Sequence, residues 1–153
     1  MITFENFLEE SEVVTVQSIL SQQNWGFGFI SNDSYKPIWN FDKKTGKQIV
    51  DILMTRLPDY KLLDYHINGQ TVGLHGSPHQ DNANGCTHAL VYFPFPWEYT
   101  WGGRLHIQNG PVVITPQYNF AVLFDSSIFH YAEAPTVPDV LRISIGLKLK
   151  KSA

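Results

Sequence analysis

The most regular pattern in the chain lies near its C-terminal end. Over residues 140–149, "VLRISIGLKL", the aliphatic side chains Leu141, Ile143, Ile145, Leu147 and Leu149 alternate with Arg142, Ser144, Gly146 and Lys148. A period of two marks a strand with one apolar face and one polar face. Whether Arg142 and Ser144 meet solvent or the interior depends on which face the rest of the fold covers. Shorter runs precede this strand: "YKLLDYHING" (60–69), "THALVYFPF" (87–95), "GGRLHIQNG" (102–110), "PVVITP" (111–116), "NFAVLFD" (119–125) and "FHYAEA" (129–134). They are rich in β-branched and aromatic residues and are divided by Gly, Pro and Asn. Strands at this short spacing predict an antiparallel sandwich or open barrel.

The texture before residue 60 is different. "NFLEESEVVTVQSILSQQ" (6–23) carries Val13, Val16, Ile19 and Leu20 at helical spacing, with Ser11 as its predicted cap. "KKTGKQIVDILMTRL" (43–57) sets Ile49, Ile52, Leu53 and Leu57 on one side of a second helix, which Pro58 ends. The stretch between them, 24–41, holds two glycines and a proline and reads as an irregular covering segment or a short edge strand. Helices first and many strands afterwards predict a mainly β fold with the helices packed on one outer sheet face. The reading is one domain over 1–153, with 1–58 as helical support and covering segment and 59–150 as the β core.

Composition narrows the partners. The chain has 153 residues, 43% hydrophobic, enough for one substantial core. Aromatic residues reach 14% and charged residues only 16%, against about 25% in an average domain. Net charge is −3, and the one basic cluster, "KLKK", is confined to the C-terminal end. That pattern argues against a nucleic-acid partner. The single cysteine, Cys86, excludes an intrachain disulfide and reads as a small buried hydrophobe. No apolar run approaches the roughly 20 residues that span a bilayer, so no membrane partner is expected. The N-terminal "MITFENFLEESE" lacks a signal pattern. The expectation is a soluble, cytoplasmic protein.

Candidate chemistry begins at "HGSPHQDN" (75–82). Gly76 and Pro78 make a helix improbable there. In an extended segment His79 and Asp81 project to one side and Gln80 to the other. Such a pair offers two ligands to one ion, and His130, beyond the apolar run "AVLFDSSIF", is the candidate third. Arg142 follows on the next strand. Two histidines and a carboxylate leave coordination positions open, which suits non-haem Fe(II) that must bind a co-substrate and O2. A guanidinium nearby suits a carboxylate held in bidentate fashion.

The order His-x-Asp, distant His, then Arg resembles the Fe(II)/2-oxoglutarate-dependent dioxygenases. "YHINGQTVGLHGSPHQDN", "THALVYFPFPWEYTWGGRLHI", "NFAVLFDSSIFHYAEAP" and "LRISIGLKL" resemble the prolyl-4-hydroxylase-like branch segment by segment, over roughly residues 60–149. The resemblance implies a double-stranded β-helix, or jelly roll, with N-terminal helices packed on one sheet. It implies Fe(II) on His79, Asp81 and His130, and the 2-oxoglutarate C5 carboxylate on Arg142. It adds Ser144 as a second donor to the co-substrate and Tyr65 and Tyr92 as co-substrate-binding tyrosines. The implied reaction consumes O2, decarboxylates 2-oxoglutarate to succinate and CO2, and hydroxylates the substrate, with ascorbate as an accessory. Related halogenases lack the carboxylate at the position of Asp81, so its presence speaks for hydroxylation. The implied substrate is a prolyl residue in a peptide, free proline or a small amino-acid-like molecule. A nucleobase comes second, for want of a basic groove. Two features depart from the pattern: Arg104 follows Gly102–Gly103 where close relatives place an acidic residue, and prolyl hydroxylases often carry lysine where this chain has Arg142.

The rival readings are a non-catalytic jelly roll that binds or has lost a metal, and a cupin-like metalloenzyme with more histidines and no keto-acid co-substrate. His75 is read at the mouth of the cleft, with a contact to Asp81 as the alternative. His66, His88 and His106 are read as ordinary strand residues. The aromatic stretch holding Trp97, Tyr99 and Trp101 is either packing or a lid over the substrate.

Overall fold

The computed structural model of the chain describes residues 1–30 and 37–152. In chain order the described residues form β1 (Ile2–Phe4), α1 (Glu10–Leu20), β2 (Trp25–Phe29), β3 (Ile38–Phe41), α2 (Lys43–Met54), β4 (Tyr60–Gln70), β5 (His88–Phe93), β6 (Leu105–Ile107), β7 (Val112–Ile114), β8 (Phe120–Asp125), β9 (His130–Ala132) and β10 (Arg142–Lys151). They assemble into two antiparallel sheets. The larger has the order β1-β8-β5-β10-β4-β3-β2 and the smaller β7-β6-β9. This is the mainly β fold with helices on one sheet that the pattern predicts, in the jelly-roll form that the resemblance implies.

The two helices cover one face of the large sheet. Val13, Val16, Ile19 and Leu20 of α1 and Ile49, Val50 and Leu53 of α2 pack with Ile67, Leu90, Tyr92, Leu123, Ile145, Leu147 and Leu149 from the strands. Gly46 lets α2 sit close, because a Cβ there would lie 2.7 Å from Ile67 Cδ1. The other face of the large sheet meets the small sheet. There Phe93, Phe120, Val122 and Phe124 pack against Leu105 and Ile107. β10 lies between β4 and β5 and belongs to both layers. Its aliphatic side chains point to the helices, so Arg142, Ser144, Gly146 and Lys148 point into the space between the sheets.

The boundaries differ from the sequence pattern in four places. β1 pairs with β8 from Ile2↔Leu123 to Phe4↔Ala121, a strand too short to leave a pattern of its own. Ser11 lies inside α1; the cap is Glu9, whose N–H donates to the Glu12 carboxylate at 3.0 Å. α2 stops at Met54, and Thr55, Arg56 and Leu57 donate to carbonyls three residues back. The residue before a proline resists the α conformation, so the last turn tightens ahead of Pro58. Within 24–41, β2 and β3 form a paired edge rather than irregular cover; residues 31–36 lie outside the described residues. No helix among the described residues is long and apolar enough to cross a membrane.

Candidate metal centre

Backbone pairing, rather than a long strand, aligns the two histidines. His79 and His130 form an isolated antiparallel bridge, with N–H to O distances of 3.0 and 2.9 Å in the two directions. Their rings lie side by side, centroids 4.3 Å apart and planes tilted by 57°. Two residues on, Asp81 N–H donates to Ser126 O at 2.8 Å. That carbonyl belongs to the polar turn after β8, closed by Asp125 Oδ1, which accepts from the Ser127 N–H at 2.8 Å and its hydroxyl at 2.7 Å. The segment 79–81 is therefore extended, and Gln80 turns outward, donating to Ser127 O. His79, Asp81 and His130 each present a donor atom within 4.8 Å of the others.

The protonation pattern suits a cation. His79 Nδ1 lies 2.8 Å from Ser77 O, and His130 Nδ1 lies 2.9 Å from Ile128 O. A carbonyl oxygen only accepts, so each Nδ1 carries a hydrogen and Nε2 is the nitrogen each ring turns toward the carboxylate. His130 Nε2 is 3.1 Å from Asp81 Oδ2, and His79 Nε2 is 3.9 Å from Oδ1. Ligand bonds of about 2.1 Å hold pairs of donors around one ion about 3–4 Å apart, which is this spacing. Asp81 Oδ1 is buried with no hydrogen bond. Burial pushes the His79 ring below the usual imidazole range, favouring the neutral, ligating form. Burial alone would raise Asp81, but the His130 hydrogen bond and the positive surroundings, Lys148 among them, outweigh it and hold the carboxyl below its ordinary value. The donor set fits a first-row dication.

Arg142 occupies the other end of the same cavity, which encloses about 120 Å³ and is lined by the triad, Ser144, Gln70, Asn68, His66 and Lys148. Arg142 is 1% exposed. Its Nε donates to Gly103 O at 2.6 Å, and Nη1 donates to Gln70 Oε1 at 2.9 Å and Ser144 Oγ at 3.3 Å. Nη2 is buried without a hydrogen-bond partner. Burial pushes the guanidinium down to about 10, still cationic at neutral pH, and no ion pair to Arg142 occurs among the described residues. A buried cation without an anion is costly, and an anionic guest would complete its pairing. Gly103 makes the close approach: at φ +69°, a Cβ there would lie 3.1 Å from Arg142 Cδ and 2.9 Å from Trp97 Cζ2.

Both tyrosines fall on the wrong side of the sheet. In register, Tyr65 sits opposite Leu147 and Tyr92 opposite Ile145, and direct cross-strand partners share a face. Tyr65 Oη donates to Lys43 O at 2.9 Å, and Tyr92 Oη donates to Asn119 Oδ1 at 2.9 Å under the helices. Neither lines the cavity, so the expectation that they bind co-substrate is corrected. His75 is exposed beside the cavity-lining Gly76 and Ser77, and its Nδ1 accepts from Ala134 N–H at 3.0 Å rather than meeting Asp81. Cys86 is half-buried, not buried. The aromatic stretch lies beside Arg142 rather than over the triad. Phe95, Trp97 and Trp101 line a second cavity of about 300 Å³ with Leu141 and Ile143, and Arg142 borders both cavities. Sequence reasoning missed Gln70 and Lys148 and took His66 for an ordinary strand residue. The alternation His66, Asn68, Gln70 along β4 carried the signal, since residues two apart share a face.

No protein-family model matches the sequence, and no curated protein does. Solved structures share the fold along nearly the whole chain. A prolyl hydroxylase from Trichoplax adhaerens, in complex with a hypoxia inducible factor oxygen degradation domain peptide, superimposes with a TM-score of 0.70 at 22% identity, covering 98% of this chain and 83% of that one. A 2OG-Fe(II) oxygenase family oxidoreductase from Burkholderia pseudomallei gives 0.74 at 11% identity, covering 97% and 84%. A Pseudomonas putida prolyl-4-hydroxylase gives 0.65 at 16% identity, covering 96% and 91%. At these identities the likeness establishes the fold: a jelly roll of the kind found in 2-oxoglutarate- and Fe(II)-dependent oxygenases.

Proposed function

We propose that the protein is an Fe(II)- and 2-oxoglutarate-dependent dioxygenase, a single domain over 1–153, that hydroxylates a prolyl residue or a small amino-acid-like substrate. The observation that carries this reading is the pairing, in one cavity, of three converging metal donors with a buried arginine whose Nη2 has no partner. His79 Nε2, Asp81 and His130 Nε2 hold the ion, and the Nδ1 hydrogen bonds to Ser77 and Ile128 fix the two ring orientations. Arg142 takes the distal carboxylate of 2-oxoglutarate, with Gln70 and Ser144 holding the guanidinium in place. Bound there, Fe(II) supplies the redox chemistry that couples O2 and decarboxylation of the keto acid to hydroxylation. Ala89, Val91 and Leu105 give that volume part of its apolar wall. The solved relatives named for prolyl hydroxylation, one bound to a peptide, support the choice of substrate class. A cytoplasmic setting fits the lone free cysteine, and ascorbate is the accessory reductant to include in assays.

Iron-reconstituted protein should convert 2-oxoglutarate to succinate in the presence of O2. Arg142→Ala should retain the metal and lose most of that turnover. Metal uptake without any succinate, across proline peptides and free amino acids, would favour the rival reading of a non-catalytic metal-binding jelly roll.

A further inference from the structure

The cavity has a cation at each end, and the reading above uses only one of them. Arg142 and Lys148 lie on the same inward face of β10, six residues and therefore roughly 20 Å apart along the strand. Lys148 Nζ is 3.6 Å from Asp81 Oδ1, and its side chain is 24% exposed. Among the ionisable side chains lining the cavity, Asp81 is the one carboxylate, set against Arg142 and Lys148.

With the dication bound, the charges can be assigned in turn. Asp81 and the keto-acid carboxylate of 2-oxoglutarate neutralise the ion, and the distal carboxylate neutralises Arg142. Lys148 is left as a surplus positive charge, three-quarters covered by protein. The nearest other acid across the sheet is Asp64, directly opposite in register. Its Oδ1 accepts from Lys43 Nζ at 2.6 Å and the Tyr65 N–H at 2.8 Å, and its Oδ2 faces His66 Nε2 at 3.4 Å. Space is available beside the ammonium. Gly146 occupies the inward position between Ser144 and Lys148, and a Cβ there would meet nothing nearer than His66 O at 3.8 Å. Burial keeps the neighbouring His66 ring below its ordinary range, so it lines this space as a neutral hydrogen-bonding group.

We infer that Lys148 is the recognition residue for a free carboxylate on the prime substrate, which makes the substrate a small amino acid or related carboxylic acid. This rests on the metal and 2-oxoglutarate reading above. Because Nζ lies so close to a metal-binding carboxylate, the anion it holds sits only a few bonds from the carbon presented to the metal. An internal residue of a peptide has an amide at that place and forgoes the charge-assisted contact.

The test is calorimetric binding to protein loaded with Mn(II) and 2-oxoglutarate. The probes are the free L-amino acids including proline, their C-terminal carboxamides, and end-blocked peptides, some carrying Asp or Glu side chains. The expected result is a free acid that binds about tenfold or more tighter than its carboxamide. Lys148→Met should remove that preference and Lys148→Arg should restore most of it. The acid-to-amide ratio in the unmutated protein stands as a test even if Lys148→Met fails to fold. The inference is overturned if the tightest ligand is a blocked peptide or an amide, if no free acid binds, or if the ratio persists in Lys148→Met. Failure to take up Mn(II) or 2-oxoglutarate at all overturns the metal-site reading and this inference with it. Uptake of both with no preference for the acid overturns this inference alone.

Discussion

The two faces of β10 divide the labour of the molecule. Ile143, Ile145, Leu147 and Leu149 enter the layer under α1 and α2, where burial of apolar area holds the fold. One residue out of step, Arg142, Ser144, Gly146 and Lys148 enter the cavity, where two cations, a hydroxyl and a gap do nothing for a hydrophobic core. On the proposed reading the same strand is a stability element on one side and a recognition element on the other. Charge is concentrated on the face that costs most to build, and on the proposed reading a metal and anionic guests offset that cost.

Substitutions on the two faces should therefore have separable effects. The largest belongs to Asp81→Ala, which removes the carboxylate between the two imidazoles and should abolish Mn(II) or Fe(II) uptake measured by calorimetry, with the fold retained by circular dichroism. Next is Ile145→Ala on the helix face, 0% exposed. It should cost about 2–5 kcal/mol in denaturant unfolding while leaving metal affinity per folded molecule unchanged. Gly103→Ala forces a Cβ against Arg142 and Trp97 at a positive φ. It should cost about 1–3 kcal/mol and also weaken 2-oxoglutarate binding, joining the two effects because Gly103 O holds the guanidinium. Tyr92→Phe removes one hydrogen bond to Asn119, which still accepts from Leu8 N–H at 3.0 Å. A loss of about 1 kcal/mol in stability and no change in 2-oxoglutarate affinity are expected. Were Tyr92→Phe to weaken co-substrate binding instead, the assignment of faces would be wrong.

That last pair of residues shows where sequence reading stops. The alternation along 141–149 was plain, and so was the polarity of each position. Which side faced inward was not, because it depends on what packs above and below. The tyrosines were misassigned for the same reason: Tyr65 and Tyr92 have the parity of Leu147 and Ile145 only once strand register is known. His79 and Asp81 were legible because residues two apart on an extended segment share a side whatever the sheet does. The link to His130 was readable as an order of residue types, while the bridge that brings the rings together is formed by two backbones distant in sequence. Gln70 and Lys148 belong to no motif. Each acquires meaning from its neighbour across the sheet or the cavity, Arg142 for one and Asp81 for the other. β1 is three residues long and held by pairing with β8, so no local pattern could announce it.

The most direct measurement is a crystal structure of the protein soaked with Mn(II) and 2-oxoglutarate, with the metal located by its anomalous scattering. The account predicts one ion bonded to His79 Nε2, Asp81 and His130 Nε2, and the distal carboxylate of 2-oxoglutarate against Arg142 Nη2. A metal bound elsewhere, or a guanidinium that leaves the keto acid untouched, would contradict it.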